Sequence, residues 1–195
     1  MGRTAVAGVD EVGRGALFGP VLAVALSFPP RFYGPRRPAW TEKLDDSKRL
    51  SPTKRKALMR PILGEALSMG VGMASNTEID ARNIHEASGL AMKRAIEAMV
   101  PKPGMVLVDG FPLKELDYPQ MAIRQGDRKS ASIAAASIVA KVLRDGLMEF
   151  FDRCCGGYGL AKHKGYGTAE HYRILRECGP TALHRKSFDL KIPER

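Results

Sequence analysis

Short apolar runs and longer amphipathic stretches alternate along this chain. The apolar runs are rich in β-branched residues and stop at acids, glycines or prolines, which is typical of buried β-strands. They predict strands at 5–9, 21–28, 71–74, 105–108 and 121–124. The run at 21–28 is apolar on both faces, so we expect it to lie in the interior of a sheet.

Helical spacing of apolar residues separates these strands. Ser51 followed by Pro52 is a favourable helix start, and Asn83 can cap a second helix at 84–99. The longest helical pattern runs from 130 to about 151, and its many small residues would let this helix lie close to the sheet. A last helix is predicted at 168–178. A chain of this length fits one domain, or one domain with a small appendage.

Carboxylates beside glycines follow three of the apolar segments. These acids are Asp10 with Glu11, Asp109, and Asp127. In a regular strand Asp10 and Glu11 would point to opposite faces, so they can serve one site only if the strand ends there. The glycines at 13 and 15 permit such a turn. Because strand–helix–strand connections bring the ends of parallel strands to one edge, we expect the acids to meet there. A strand followed by a polar turn is the alternative.

The chain is strongly basic. Thirty-one Lys and Arg against 21 Asp and Glu give a net charge of +10 in 195 residues. Such a surface suits a polyanion, most often nucleic acid, although a basic protein without such a partner is the alternative. Carboxylates without Cys or His ligands suit Mg²⁺ or Mn²⁺. An acidic cluster in a basic surrounding therefore indicates two-metal cleavage of a phosphodiester.

Nothing in the sequence indicates a membrane or secreted protein. No run approaches the roughly 18 apolar residues of a membrane-spanning helix, and the first strand begins too early for a signal peptide. The three cysteines, Cys154, Cys155 and Cys178, make a poor disulfide framework because their number is odd. We therefore expect a cytoplasmic protein, and, as a separate prediction, a monomer.

Two further features have more than one interpretation. The loop H-K-G-Y-G-T contains His163 and Tyr166 and suits a nucleic-acid contact, but a glycine-rich surface loop is an equal alternative. Asp145 lies well inside the longest predicted helix. An acid there is more often a structural ion-pair partner than a ligand.

Seven segments together carry a resemblance to a known family. They are A-G-V-D-E-V-G-R-G at 7–15, D-S-K-R-L-S at 46–51, V-D-G at 108–110, G-D at 126–127, S-I-A-A-A-S-I-V-A-K-V-L-R-D at 132–145, H-K-G-Y-G-T at 163–168 and H-R-K-S-F at 184–188. In this order they closely resemble the ribonuclease HII family, the bacterial type 2 ribonucleases H. The resemblance spans nearly the whole chain, and its first and fifth segments are highly specific.

This resemblance implies a ribonuclease H-like α/β fold, with a five-stranded mixed sheet flanked by helices. It implies a single catalytic domain in which a small helical C-terminal part, about 154–195, contacts substrate. The implied activity is metal-dependent endonucleolytic hydrolysis of the RNA strand of RNA–DNA hybrids. It includes incision 5′ to ribonucleotides embedded in duplex DNA, leaves 5′-phosphate and 3′-hydroxyl ends, and belongs to ribonucleotide excision in DNA replication and repair. A non-catalytic hybrid- or DNA-binding protein with this fold is the alternative, which the presence of all four acids disfavours.

The same resemblance implies roles for single residues. The acids that catalyse the reaction and bind two Mn²⁺ or Mg²⁺ ions would be Asp10, Glu11, Asp109 and Asp127. The substrate contacts would be Gly13, Arg14 and Gly15 at the 2′-hydroxyl, Lys48 near the substrate backbone and Tyr166 at the RNA–DNA junction. The chain departs from the family at Ala16 and Gly167, where proline is usual.

Overall fold

A mixed sheet forms the centre of the computed structural model, which describes residues 5–35, 37–44 and 49–192. Its strands are β1 (Val6–Val12), β2 (Val21–Ser27), β3 (Ser68–Ala74), β4 (Met105–Asp109) and β5 (Gln120–Ile123). They follow the order β3-β2-β1-β4-β5. β1, β4 and β5 are parallel, whereas β1, β2 and β3 pair antiparallel. The expected five-stranded mixed sheet is confirmed.

Helices cover both faces of this sheet. Those in the described residues are α1 (Pro52–Glu65), α2 (Asn76–Arg82), α3 (Ile84–Glu97), α4 (Ala131–Cys154), α5 (Leu160–His163) and α6 (Ala169–Cys178). As expected for the start of α1, the Ser51 side chain accepts a hydrogen bond from the Lys54 N–H. Apolar periodicity does not predict α2, which has only seven residues. A capping box formed by Ser75 and Glu78 defines its beginning instead.

Two apolar layers lie on opposite faces of the sheet. Helix α3 packs against Val21 and Ala23 of β2, whereas α4 packs against the alternate residues Leu22 and Val24. β2 is buried along its whole length, which confirms the prediction of an interior strand. No helix in the described part of the chain is long and apolar enough to span a membrane.

Both layers depend on close approach between helix and sheet. A Cβ on Gly8 of β1 would lie 2.5 Å from main-chain atoms of Ser132 and Ile133 in α4, so the predicted close packing of this helix is confirmed. A Cβ on Gly72 of β3 would lie 2.1 Å from the Ala91 carbonyl oxygen of α3. β3 starts at Ser68, earlier than the predicted strand. The hydropathy pattern misses this beginning because glycines occupy alternate positions on the buried face of the strand.

Candidate active site

The acids at the strand ends meet in one cavity. β1 and β4 are parallel neighbours, so Asp10 and Asp109 lie side by side at the carboxyl edge of the sheet. Asp127 lies in the short 3-10 turn that follows β5. A cavity of about 510 Å³ is lined by all four acids, Asp10, Glu11, Asp109 and Asp127. The structure therefore brings the four predicted acids together.

Main-chain hydrogen bonds orient two of these carboxylates. The Gly126 N–H donates to Asp109 Oδ1 at 2.6 Å, and the Glu11 N–H donates to Asp10 Oδ1 at 2.8 Å. A Cβ on Gly126 would lie 2.6 Å from the Ile133 side chain and 3.2 Å from Asp109 Oδ1. Only glycine allows the turn to approach Asp109 so closely, and this approach places the next residue, Asp127, at the cavity.

Burial and repulsion raise the pKa of the innermost acid. Asp10 is 6% exposed, and burial, with repulsion from Glu11 and Asp109, raises its pKa well above the usual range. A hydrogen bond from Ser137 opposes this rise. Burial also raises the pKa of Glu11, although Arg14, whose Nη1 lies 3.2 Å from Glu11 Oε1, acts in the other direction. The ionised carboxylates are thus held together at a cost in free energy.

The donor set of this cavity fits a hard divalent cation. The described residues that line it include carboxylates and a hydroxyl and no Cys or His, which favours Mg²⁺ or Mn²⁺. A cation between the acids would also favour the ionised forms of Asp10 and Glu11. Within the described residues, no group of three or more His, Cys, Asp and Glu side chains is arranged so that it could hold a metal ion. Mg²⁺ is commonly held by one or two carboxylates with water and substrate phosphates, and the cavity suits a site of that kind.

Basic side chains line the same cavity. Arg55 and Lys141 contribute to its wall together with Ser137 and Tyr166. The Asp145 carboxylate lies 2.7 Å from Lys141 Nζ and 3.5 Å from Arg55 Nη2, which confirms that it is a structural ion-pair partner. Sequence reasoning misses Ser137, Lys141 and Arg55 as cavity residues. The available signal was the four-residue spacing that puts Ser137, Lys141 and Asp145 on one face of α4.

The two glycines of the G-R-G segment have different surroundings. Gly13 has φ +96°, and a Cβ there would lie 2.1 Å from Arg144 Nε, so packing alone requires glycine at this position. A Cβ on Gly15 would meet no such atom within 4 Å. Space for a ligand therefore lies beside Gly15, whereas a methyl group on Gly13 would meet Arg144 rather than a sugar. Arg14, between them, pairs with Glu11 and lies 5.6 Å from the Phe111 ring centre.

Tyr166 reaches the cavity from the C-terminal part of the chain. Its ring centre lies 5.6 Å from Lys141 Nζ and 5.5 Å from Arg144 Cζ. Its main chain forms an isolated antiparallel bridge with Ala16, directly after the G-R-G segment. Tyr166 therefore lies next to the acids. The other predicted contact, Lys48, lies outside the described residues.

The two departures from the family pattern fit their local structure. The Ala16 N–H donates to the Gly13 carbonyl oxygen at 3.3 Å, a bond that proline could not form. A Cβ on Gly167 would lie 2.6 Å from the Tyr172 hydroxyl oxygen, so Gly167 leaves the space that Tyr172 occupies.

Two buried arginines hold the active-site loop, residues 13–20, which carries the G-R-G segment. Arg144 and Arg185, here named the arginine clamp, are both 0% exposed. Their acceptors at 2.7–3.4 Å are the carbonyl oxygens of Phe18, Pro20 and Lys164 for Arg144, and of Gly19 and Arg14 for Arg185. Burial and repulsion from Arg144 lower the pKa of Arg185 to about 9. Sequence reasoning misses both residues.

Comparisons with known proteins identify the family and the fold of this chain. The ribonuclease HII family model matches residues 7–191. A ribonuclease HII of Moorella thermoacetica is 49% identical over 183 residues, which cover 94% of this chain and 85% of that one. The ribonuclease H2 from Pyrococcus horikoshii OT3 has a similar crystal structure, with a TM-score of 0.77 at 23% identity and coverage of 95% of this chain and 94% of that chain. Bst-RNase HIII in complex with Mn²⁺ gives a TM-score of 0.68 at 22% identity, covering 97% and 68%.

The mixed sheet and these structural neighbours define a protein with the ribonuclease H-like α/β fold. Within that fold class, the chain belongs to the ribonuclease HII family. It is therefore an endoribonuclease of the ribonuclease H type, and the non-catalytic alternative is set aside.

Proposed function

We propose that this enzyme hydrolyses the RNA strand of RNA–DNA hybrids and incises duplex DNA on the 5′ side of embedded ribonucleotides. The observation that carries the proposal is one cavity lined by four carboxylates together with Gly15, Lys141 and Tyr166. This cavity offers oxygen ligands for cations, positive charge for phosphates and, at Gly15, a backbone that a sugar can approach without obstruction. Family membership supports the hybrid substrate. The setting we propose is a cytoplasmic monomer acting in DNA replication and repair.

The acids and cations of the cavity would divide the catalytic work. Bound at Asp10, Glu11, Asp109 and Asp127, two Mn²⁺ or Mg²⁺ ions would supply Lewis-acid activation of water and of the scissile phosphate. The manganese complex of the structurally similar Bst-RNase HIII supports this class of cofactor. Lys141, held in place by Asp145, would contribute positive charge toward a substrate phosphate. Hydrolysis would leave 5′-phosphate and 3′-hydroxyl ends.

Selection of the ribonucleotide would depend on two neighbouring sugars. A 2′-hydroxyl both donates and accepts hydrogen bonds, and it is the group that distinguishes RNA from DNA. The Arg14–Gly15 backbone lies beside the acids with open space around Gly15, where this hydroxyl could approach. The Tyr166 ring would pack on the sugar that follows, where a second 2′-hydroxyl would crowd it. Incision would therefore be favoured where RNA is followed by DNA.

Cleavage rates on three duplexes test this proposal. One duplex carries a single ribonucleotide, the second is a uniform RNA–DNA hybrid, and the third is all DNA. We expect cleavage of the first two only when Mg²⁺ or Mn²⁺ is present, with 5′-phosphate ends in the products. Tyr166→Ala should lower the rate on the single-ribonucleotide duplex more than on the hybrid, whereas the control Tyr33→Ala, remote from the cavity, should change neither. Equal cleavage of all-DNA duplex would contradict the proposal.

A further inference from the structure

Three buried histidines form a cluster behind Tyr166, outside the acid cavity. His163, His171 and His184 are 7%, 0% and 0% exposed. The rings of His163 and His171 stack with centres 4.3 Å apart, and His171 Nε2 lies 3.1 Å from His184 Nε2. None of them lines the cavity, and the proposed reaction uses none as an acid or base. Their close arrangement therefore needs another explanation.

The partner of His184 fixes the proton on that ring. His184 Nδ1 lies 2.9 Å from the Thr181 main-chain nitrogen. Because a main-chain N–H can only donate, Nδ1 of His184 accepts, and the neutral ring carries its proton on Nε2. This Nε2–H faces His171 Nε2, which must accept it.

The partner of His171 leads to the same arrangement from the other end. His171 Nδ1 lies 3.1 Å from the Tyr166 carbonyl oxygen. A carbonyl oxygen can only accept, so His171 carries its proton on Nδ1 and leaves Nε2 free to accept from His184. The two ends independently require one proton order. The histidine chain thus runs in a single direction, from the Thr181 N–H through His184 and His171 to the Tyr166 carbonyl.

The third ring supports this chain by stacking. His163 Nδ1 accepts from the Gly165 N–H at 3.2 Å, and His163 Nε2 lies 2.7 Å from the Tyr158 carbonyl oxygen, so this ring also has one tautomer. Burial and the neighbouring histidines lower the pKa of His184 to about 4, and burial lowers that of His171. Neutral rings at pH 7 are consistent with the single proton order.

Both ends of the chain contact the active-site loop. At the Tyr166 end, the main chain bridges Ala16, and the Leu17 N–H donates to the Gly165 carbonyl oxygen at 2.7 Å. At the other end, His184 forms an isolated bridge with Phe18, and the two rings meet edge to face with centres 5.0 Å apart. The histidines therefore connect Tyr166 to the loop that carries the G-R-G segment.

We propose that His171 and His184 are positioning residues, which hold the Tyr166 main chain against the active-site loop and so set the preference for the RNA–DNA junction. The preference rests on the function proposed above for Tyr166, whereas the proton order stands on geometry alone. Because donors and acceptors match in only one direction, replacing His171 removes the histidine donor to the Tyr166 carbonyl, and replacing His184 removes the donor that fixes the His171 tautomer. The Thr168 N–H, at 2.8 Å, remains its other donor.

A matched pair of substitutions tests the role of His171. Asn and Leu have similar shapes, but the amide of His171→Asn can still donate to the Tyr166 carbonyl and His171→Leu cannot. The readout is the rate on the single-ribonucleotide duplex divided by the rate on the uniform hybrid. We expect His171→Leu to lower this ratio about fivefold, the equivalent of one net hydrogen bond, and His171→Asn to restore most of it. Equal losses on both substrates, or equal ratios for Asn and Leu, would overturn the positioning role.

Failure of this inference can be told apart from failure of the proposed function. If Tyr166→Ala leaves the ratio unchanged, the junction role of Tyr166 is wrong, and with it the proposed effect on preference. If Tyr166→Ala changes the ratio but His171→Leu does not, only the positioning role is wrong.

The wild-type enzyme provides a test that needs no variant. Long-range ¹H–¹⁵N spectra of the histidine rings distinguish protonated from unprotonated nitrogens. We expect a protonated Nδ1 on His171 and an unprotonated Nδ1 on His184 at neutral pH. The reverse assignment for either ring would overturn the single proton order.

Discussion

The acid cavity and the arginine clamp adjoin each other, and each gathers charges of one sign. In the cavity, Asp10 and Glu11 share a partly open volume of about 510 Å³ with Asp109 and Asp127. In the clamp, Arg144 and Arg185 are fully buried and donate to main-chain carbonyl oxygens. Among the described residues, no carboxylate lies within ion-pair distance of either clamp arginine.

The two regions differ in what satisfies their charges. A guanidinium has five N–H donors and can bind several carbonyl oxygens at once. Among the described residues, five of the six clamp nitrogens donate to main-chain carbonyl oxygens, and Arg185 Nη2 has no hydrogen-bond partner. In the cavity, burial and repulsion raise the pKa of Asp10, so its ionised form is unfavourable there. Charge that the fold does not satisfy is available to a ligand. Stability and activity should therefore respond in opposite ways in the two regions.

Removing a cavity acid should have the largest effect, and on activity. Asp10→Asn or Asp109→Asn takes away one oxygen ligand for the cations, which should cost several kcal/mol of transition-state stabilisation, or about a thousandfold in rate. Hybrid binding should remain, because the basic surface is unchanged. The matched control is Asp117→Asn, an exposed acid that does not line the cavity. Near-normal turnover in either cavity variant would contradict the proposal that these acids bind the catalytic cations.

Disrupting the clamp should have the next largest effect, and on stability. Arg185→Met or Arg144→Met leaves buried carbonyl oxygens without donors. We expect the free energy of unfolding to fall by about 1–3 kcal/mol for each unsatisfied group, and urea unfolding would measure this loss. The control Arg173→Met removes only an exposed pair with Glu177 and should change little. In chelator, Asp10→Asn should instead raise stability, because it removes an unfavourable charge. A clamp variant as stable as wild type would contradict the role of the clamp in stability.

The acid cavity could be predicted from sequence because local patterns encode it. Asp10 and Asp109 follow apolar strands directly, and the rule that parallel strands end at one edge brings them together. Asp127 is placed by a glycine turn that is also visible in the sequence. The resemblance to ribonuclease HII adds the roles of these residues, and the comparisons confirm the family.

The clamp and the histidine chain could not be predicted in this way. Arg185 binds carbonyls of Arg14 and Gly19 from the far end of the chain, and only the folded backbone brings these partners together. His171 and His184 are 13 positions apart, on a helix and in a following loop, and neither has a spacing that indicates its partner. Long-range hydrogen bonds to the main chain leave no periodic signal in the sequence.

Acidification should change the stability contributions of the acid cavity and of the histidine chain in opposite directions. His184 has a pKa lowered from 6.5 to about 4, so its contribution to stability is complete above about pH 6.5 and is lost as pH falls toward 4. Asp10 has a raised pKa, so its protonation on acidification stabilises the metal-free fold instead. Among the described residues, the ionisable groups that face His184 include His171, His163 and Tyr158, whose ring centre lies 5.3 Å from that of His184. Urea unfolding in chelator should show a smaller loss of stability on acidification for His184→Asn than for wild type. Parallel pH profiles for the two proteins would contradict this.

The smallest effect should come from charge that belongs to neither region. The resemblance implies that Lys48 would lie near the substrate backbone, and a phosphate contact there would release counterions without reading bases. Lys48→Ala should therefore weaken hybrid binding several-fold, to a similar extent for every sequence, and reduce the slope of log affinity against log salt by about one. Lys102→Ala is a suitable control, because Lys102 lies just before the start of β4, at the edge of the sheet opposite the acids. Its side chain donates to the Glu97 carbonyl oxygen there. Measured slopes that are equal for both variants would show that Lys48 contacts no phosphate, and the charge that attracts the duplex would then lie elsewhere on this basic surface.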